Sequence, residues 1–232
     1  MKQFVCQVTT LEALTAAVYR VVLTLPEPIE FLAGQYIQVV MGEQDKRAFS
    51  IASCPSRTTT LELHIGATAE NPYAMEVITK MREEGTVTIE APLGNAWLRD
   101  DSERPLILIA GGTGFSYTWS ILQAHLRSSS TRPVTLYWGA RQPQDLYLDE
   151  QLRELAATQE RFHYRPVVEQ VPEAWDGAEG LVHEAVMAEQ ATLDKADIYV
   201  AGRFEMVRVI RDAFQARGLP SDQLYGDALA FI

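Results

Sequence analysis

The chain has 232 residues, 47% of them hydrophobic, and its 20 Lys and Arg stand against 31 Asp and Glu for a formal net charge of −11. This is enough chain for two ordinary domains with cores of their own, and the acidic balance excludes a nucleic-acid surface and disfavours an anionic membrane, since both need clustered cations. No apolar run approaches the roughly 20 residues that cross a bilayer, and Gln3, Cys6 and Gln7 stand where a secretory signal would have its apolar centre, so the expectation is a cytoplasmic protein.

Residues 4–10 and 18–25 are rich in Val, Thr, Tyr and Leu in rough alternation, with Pro26 and Pro28 following, and read as the first two strands of a β domain. Residues 34–41 and 47–53 read as a third and fourth strand, and 60–65 and 86–91 alternate cleanly; strands at this spacing predict a small antiparallel barrel. One helix interrupts them, with Asn71 as N-cap, Pro72 at the first helical position, Met75, Ile78 and Met81 at helical spacing, and Gly85 as the stop. The charged connector 95–105 marks a domain boundary, giving a barrel over 1–98 and a second domain over 99–232.

In the second domain, strands at 106–110, 134–139, 163–169 and 197–201 alternate with helices at 115–127, 148–158, 181–190 and 204–217, the order of a doubly wound α/β fold with a parallel sheet. Met206, Val209, Ile210, Ala213 and Phe214 make the apolar stripe of the last helix, Gly218 is placed to cap it and Pro220 lies just beyond. Residues 223–232 read as a final strand with an aromatic tail.

The chemistry concentrates at the end of the first of these strands. Gly111, Gly112 and Gly114 remove Cβ atoms where the chain reverses, Thr113 adds a hydroxyl, and Phe115 opens a helix whose positive end faces the turn. By itself the stretch is equally a pyrophosphate cradle or a tight strand-to-helix turn. Cys6 and Cys54 are too few for a disulfide framework or a four-thiolate cluster, and His64, His125, His163 and His183 lack metal-ligand spacing, so no metal is expected.

Six stretches in order carry a family resemblance: Arg-Ala-Phe-Ser (47–50), His-Ile-Gly-Ala (64–67), Gly-Gly-Thr-Gly-Phe-Ser (111–116), Tyr-Trp-Gly-Ala-Arg (137–141), Ala-Gly-Arg-Phe-Glu-Met (201–206) and Tyr-Gly-Asp-Ala-Leu-Ala-Phe-Ile (225–232). Over essentially its whole length the chain resembles the ferredoxin reductase superfamily, and most closely the NAD(P)H:flavin oxidoreductases. The resemblance implies a flavin ring against 47–50, with Arg47 on the ring or ribityl side, backbone of Ala48 and Phe49 at the ring's polar edge, and Ser50 hydrogen-bonding near N5 as the catalytic contact. His64, Ile65, Gly66 and Ala67 end the neighbouring strand beside the ring, His64 being a structural histidine rather than a proton donor. NADH or NADPH would lie on Gly111, Gly112, Thr113, Gly114 and Phe115, with Gly202, Arg203, Phe204 and Met206 at the equivalent turn of a later strand. Asp227 and Phe231 border the nicotinamide pocket or simply pack the terminus. Reduced nicotinamide would stack on the flavin between the domains, with positioning as the enzyme's task.

Two departures refine the expectation. Relatives that retain FAD usually carry Gly-x-x-Ser after the second flavin strand, whereas this chain has Glu70 and Pro72 at the helix start, one adding negative charge and the other removing an N–H. Flavin (riboflavin, FMN or FAD) is therefore expected as a loosely held substrate, released reduced to ferric complexes or flavin-consuming enzymes. Relatives often have Cys-Gly-Pro where this chain has Ala201-Gly202-Arg203, which removes a thiol from the nicotinamide site. Arg141, where NAD-specific folds place an acid, either receives a 2′-phosphate or is a surface residue. The rival reading is the reductase component of an oxygenase or electron-transfer chain, with bound flavin and a protein partner; a monomer is expected.

Overall fold

The computed structural model describes residues 2–232, and the chain divides into two compact units. The first holds the residues up to Leu98 together with Trp119–Arg127. Its strands are β1 (Lys2–Ala13), β2 (Val18–Thr24), β3 (Tyr36–Val40), β4 (Lys46–Ser50), β5 (Thr60–Gly66) and β6 (Thr86–Leu93), joined antiparallel in the order β4-β3-β6-β1-β2-β5. The two outer strands meet where the Ala52 N–H donates to the Glu62 carbonyl at 2.7 Å, so the sheet curls into a barrel. Phe4 and Cys6 of β1, Val21 and Leu23 of β2, Ile37 and Val39 of β3, and Leu61, Leu63 and Ile65 of β5 point inward at the period of two that a pleated strand dictates. β1 runs well past the predicted residue 10 because Leu11, Glu12 and Ala13 continue the ladder with β2 beyond a bulge between Val8 and Thr10.

Helix α1 (Pro72–Glu84) covers one end of this core with Ala74, Val77, Ile78 and Met81, while Met75 is only partly buried. Gly85 ends it in the left-handed region (φ 66°), its N–H closing on the Met81 carbonyl. Asn71 does not cap the helix through its side chain as predicted; its Nδ2 donates instead to the Gly66 carbonyl at 3.4 Å, which ties the helix start to the end of β5.

The second unit holds Arg99–Thr118 and Ser128–Ile232. Here β7 (Leu106–Gly111), β8 (Val134–Ala140), β9 (Phe162–Val168), β10 (Ala178–Glu179), β11 (Asp197–Ala201) and β12 (Leu224–Tyr225) form a sheet of order β10-β9-β8-β7-β11-β12, with every pairing parallel. The chain therefore builds outward from β7 to one side and then returns to its other side with β11, so the switch point of the sheet falls between these two strands. The connecting helices are α2 (Phe115–Arg127), α3 (Asp149–Thr158), α4 (Val182–Glu189) and α5 (Phe204–Ala216). Ile107 and Ile109 of β7 pack with Val182 and Val186 of α4 and Val207 and Ile210 of α5, and Leu108 and Ala110 alternate to the opposite face.

Two predicted details differ. The buried stripe of α5 is Val207, Ile210 and Phe214, whereas Val209 is 47% exposed; residues two apart lie about 200° apart around a helix, so only one of these two valines faces the sheet. The terminal strand is only Leu224–Tyr225, after which Asp227–Phe231 form a 3₁₀ turn.

A buried ion cluster anchors the start of β11. The fully buried Asp197 carboxylate accepts from Arg104 Nε at 2.8 Å and from Arg132 Nη2 at 2.7 Å. Arg132 also donates to the Arg104 and Arg99 carbonyls at 2.6 and 2.8 Å, fastening the segment that leads into β7. Both carboxylate oxygens are thus used by cations, the condition under which a buried charge is tolerated.

Candidate functional site

In the first unit the predicted flavin residues fall on the ends of β4 and β5. Ser50 closes β4 opposite Tyr36, and its half-buried hydroxyl makes no hydrogen bond among the described residues. Phe49 is half-buried and lies 6.4 Å from the Tyr73 ring. Ala48 is exposed, but its N–H is directed to the Tyr73 hydroxyl at 3.2 Å, so helix α1 occupies the backbone donor expected to read the ring edge.

Arg47 is the most heavily engaged side chain of this face. Its Nε and Nη2 fork onto Asp45 at 2.9 and 2.6 Å, Nη2 also reaches Glu76 at 2.7 Å, and Nη1 donates to the Tyr73 carbonyl at 2.5 Å. The guanidinium carbon lies 5.0 Å from the centre of the Tyr73 ring. The hydrogen bonds from Arg47 hold the Asp45 carboxyl below its ordinary range.

On β5, His64 is buried and its Nε2 lies 3.0 Å from Glu62 Oε1. Arg20 donates to the other Glu62 oxygen at 2.9 Å. Burial would raise the Glu62 carboxyl, but the hydrogen bonds from His64 and Arg20 together outweigh it and bring it down to about 2. His64 is thus tied to Glu62 within this network. Ile65 and Ala67 send their side chains into the barrel core, which leaves only their backbone to a ligand, and Gly66 between them is half-buried at the strand end.

In the second unit the glycine-rich turn stands at the C-terminal edge of β7. Gly111 ends the strand, Gly112 to Gly114 make a 3₁₀ turn, and α2 follows directly. Gly112 has φ +52°, where a side chain would be strained. Gly114 is closed by its surroundings, since a Cβ there would stand 2.8 Å from the Gly202 nitrogen and closer still to the Ala201 carbonyl. Gly111 and Gly202 face each other across the switch point, a Cβ on Gly202 falling 3.5 Å from the Gly111 Cα, with the half-buried Met206 laid over both. Two strand ends without side chains thus meet, with only the Met206 thioether laid against them, at the point where sheets of this order take ligands.

Behind the turn is an aromatic stack. Phe115 and Trp138 lie parallel at 3.9 Å, Tyr147 meets both edge-on, and Trp138 Nε1 donates to the Gly112 carbonyl at 2.9 Å. Phe115, predicted as a cofactor contact, is fully buried in this stack and acts on the turn from within. Arg141 follows the end of β8, the neighbour of β7, and is exposed with no side-chain partner among the described residues. Arg203 precedes α5 in the same condition. Phe204 is 52% exposed and lies 6.1 Å from Phe231, itself 73% exposed. The sequence motifs did not reveal Trp138 as the hydrogen-bonding support of the turn, nor Asp45, Tyr73 and Glu76 as the partners of Arg47.

Comparison with known proteins places each unit. Residues 5–97 match the oxidoreductase FAD-binding domain and residues 108–212 the oxidoreductase NAD-binding domain. The fold resembles a ferredoxin reductase in carbazole 1,9a-dioxygenase (TM-score 0.83, 26% identity, 97% of this chain and 69% of that one). It also resembles an Amycolatopsis cytochrome P450 reductase (TM-score 0.87, 26% identity, 97% of this chain and 69% of that one). These define a ferredoxin reductase-like oxidoreductase with a flavin barrel and a nicotinamide domain. Over 98% of both chains the sequence is 47% identical to an NAD(P)H-flavin reductase of Vibrio harveyi, and over the same share 46% identical to that of Aliivibrio fischeri. The chain belongs to the NAD(P)H-flavin reductase family.

Proposed function

We propose that the chain uses NADH or NADPH to reduce free flavin, which binds as a substrate and leaves after reduction. The chemistry is direct hydride transfer from nicotinamide C4 to flavin N5, which needs no acid–base pair from the protein. Ser50 offers an uncommitted hydroxyl at the end of β4 to orient the flavin ring near N5, and the half-buried Phe49 beside it shields the ring from water. The backbone of Gly111 to Gly114, at the positive end of α2, takes the pyrophosphate. Gly202 and Met206 border the nicotinamide, and the unpaired Arg141 receives the adenosine ribose with or without its 2′-phosphate.

The observation that carries this reading is the pair of glycine-ended strands at the switch point, with a turn closed to any Cβ at Gly114. Weak retention of flavin is supported by the start of α1, where Pro72 provides no N–H and the Glu70 carboxyl is held below its ordinary range by its own backbone N–H and Thr68. A cytoplasmic monomer whose reduced flavin serves ferric complexes or flavin-dependent enzymes completes the proposal. No helix among the described residues is long and apolar enough to cross a membrane.

Following absorbance at 340 nm with NADH or NADPH and riboflavin, FMN or FAD tests it. Many turnovers without any protein partner are expected, from protein that leaves gel filtration without stoichiometric flavin. Turnover only when a partner protein is added would overturn the reading in favour of an electron-transfer component.

A further inference from the structure

Arg47 is the cation of the flavin face, and an arginine there would ordinarily be a ready ligand for the phosphate of a flavin nucleotide. Here four of its five N–H groups are already taken, two by Asp45, one by Glu76 and one by the Tyr73 carbonyl. Asp45 and Glu76 together carry two negative charges against the one positive charge of Arg47, so the cluster is net −1. Arg47 is only 8% exposed, with the Tyr73 ring over it, while the Glu76 side chain remains 58% exposed. Solvent and substrate therefore meet the carboxylate first and the guanidinium hardly at all.

The surroundings reinforce this sign. An open groove along α1 is lined by Glu76, Glu83 and Glu84; its one cation, Lys80, is paired with Glu84 at 2.6 Å. Lys46, next to Arg47 in sequence, is committed to the buried Glu90 at 2.7 Å. No uncommitted cation among these residues is left for a dianionic tail.

We infer that Glu76, acting with Asp45 through Arg47, is a specificity-determining residue that sets the enzyme against phosphorylated flavins and in favour of the neutral, unphosphorylated one. The inference rests on the proposed function, because it concerns flavin as the substrate of this face. Glu76 is a positioning and screening residue; it takes no part in hydride transfer.

The test compares E76Q and E76K with the unaltered protein, using riboflavin and FMN in parallel with NADH held constant. Glu76 is on an exposed helix face, so both variants should fold, which circular dichroism and the melting temperature check. The ratio of KM for FMN to KM for riboflavin should fall about 3- to 10-fold in E76Q, the scale expected for removing one charge near a dianion in a mostly aqueous setting, and further in E76K. In the unaltered protein, raising salt from about 0.02 to 0.3 M should lower KM for FMN and leave that for riboflavin flat, and E76Q should blunt this dependence. A merely structural role would shift both flavins together; an unchanged ratio, or one with no salt dependence, overturns the inference. If no flavin supports NADH oxidation by the unaltered protein, the proposed function itself is what fails.

Discussion

The indole Nε1 of Trp138 donates to the carbonyl of Gly112 at 2.9 Å while its ring lies flat on Phe115 at 3.9 Å. One residue of β8 thus holds both the crest of the glycine turn and the first residue of the helix behind it. In W138F the stack survives and the hydrogen bond is lost, a change of about 1 kcal/mol. KM for NADH should rise about fivefold while KM for riboflavin stays constant. Equal effects on both substrates would show that the bond does not shape the dinucleotide turn.

Gly111 and Gly114 are close in sequence but should respond differently to alanine. At Gly114 the new methyl meets the backbone of Ala201 and Gly202, which cannot move without shifting β11, a cost at or above the usual 1–3 kcal/mol of overpacking. At Gly111 it meets the Met206 thioether, a flexible end that can swing aside. G114A should lose most NADH-dependent turnover and melt several degrees lower, and G111A should retain more of both. The reverse order, read by thermal melts and steady-state kinetics, would contradict the packing around the switch point.

Arg141 is exposed and without a side-chain partner beyond the end of β8. R141A should raise KM for NADPH about tenfold or more and KM for NADH much less, because a 2′-phosphate loses a charge-assisted contact that a hydroxyl never had. Unchanged constants for both would return Arg141 to the surface.

Asp197 is fully buried between Arg104 and Arg132. D197A leaves the buried Arg132 without a counter-charge and should destabilise the protein by about 3–5 kcal/mol, measured as a drop in the urea midpoint. D197N, which keeps the shape and some hydrogen bonds, should cost less. The melting behaviour of the two variants separates charge from packing.

Glu62 links acidity to stability. Its folded pKa of about 2 lies below the ordinary carboxylate value, so it stabilises the fold above pH 4.5 and this contribution disappears as pH falls toward 2. The stability difference between the unaltered protein and E62Q should be roughly 2–3 kcal/mol at pH 6 and should shrink steadily between pH 4.5 and 2. A difference independent of pH would mean that the Arg20 ion pair and the His64 hydrogen bond of Glu62 contribute little.

Much of this architecture could be read from local pattern alone. The apolar run at 106–110 followed by three glycines, and the Asn-Pro and Gly that bracket α1, are signals carried by neighbouring residues, and helix and strand order follow from them. What escaped depends on distant partners. Arg47 was legible as a flavin residue, but Glu76 lies 29 positions away and only the fold lays α1 against β4. Trp138 looked like one apolar residue in a strand until its indole nitrogen found Gly112. Val209 and Val207 have the same helix propensity and hydrophobicity, so which of them is buried is settled by the direction from which the sheet approaches. The chain after Leu224–Tyr225 turns into a 3₁₀ helix at Asp227 rather than continuing as a strand, a choice that apolar composition does not encode.

The barrel unit is discontinuous, because it includes Trp119–Arg127 from the later part of the chain. Within that segment Ser120 Oγ donates to the Ser53 carbonyl at 2.8 Å and Gln123 Nε2 to the Ala52 carbonyl at 2.9 Å. A truncated polypeptide stopping at Leu98 would therefore strip both acceptors of their donors at the loop that follows β4. Excising this half as an autonomous flavin module is accordingly a poor engineering route, and a circular permutant that keeps the strap beside the barrel sequence is the better one.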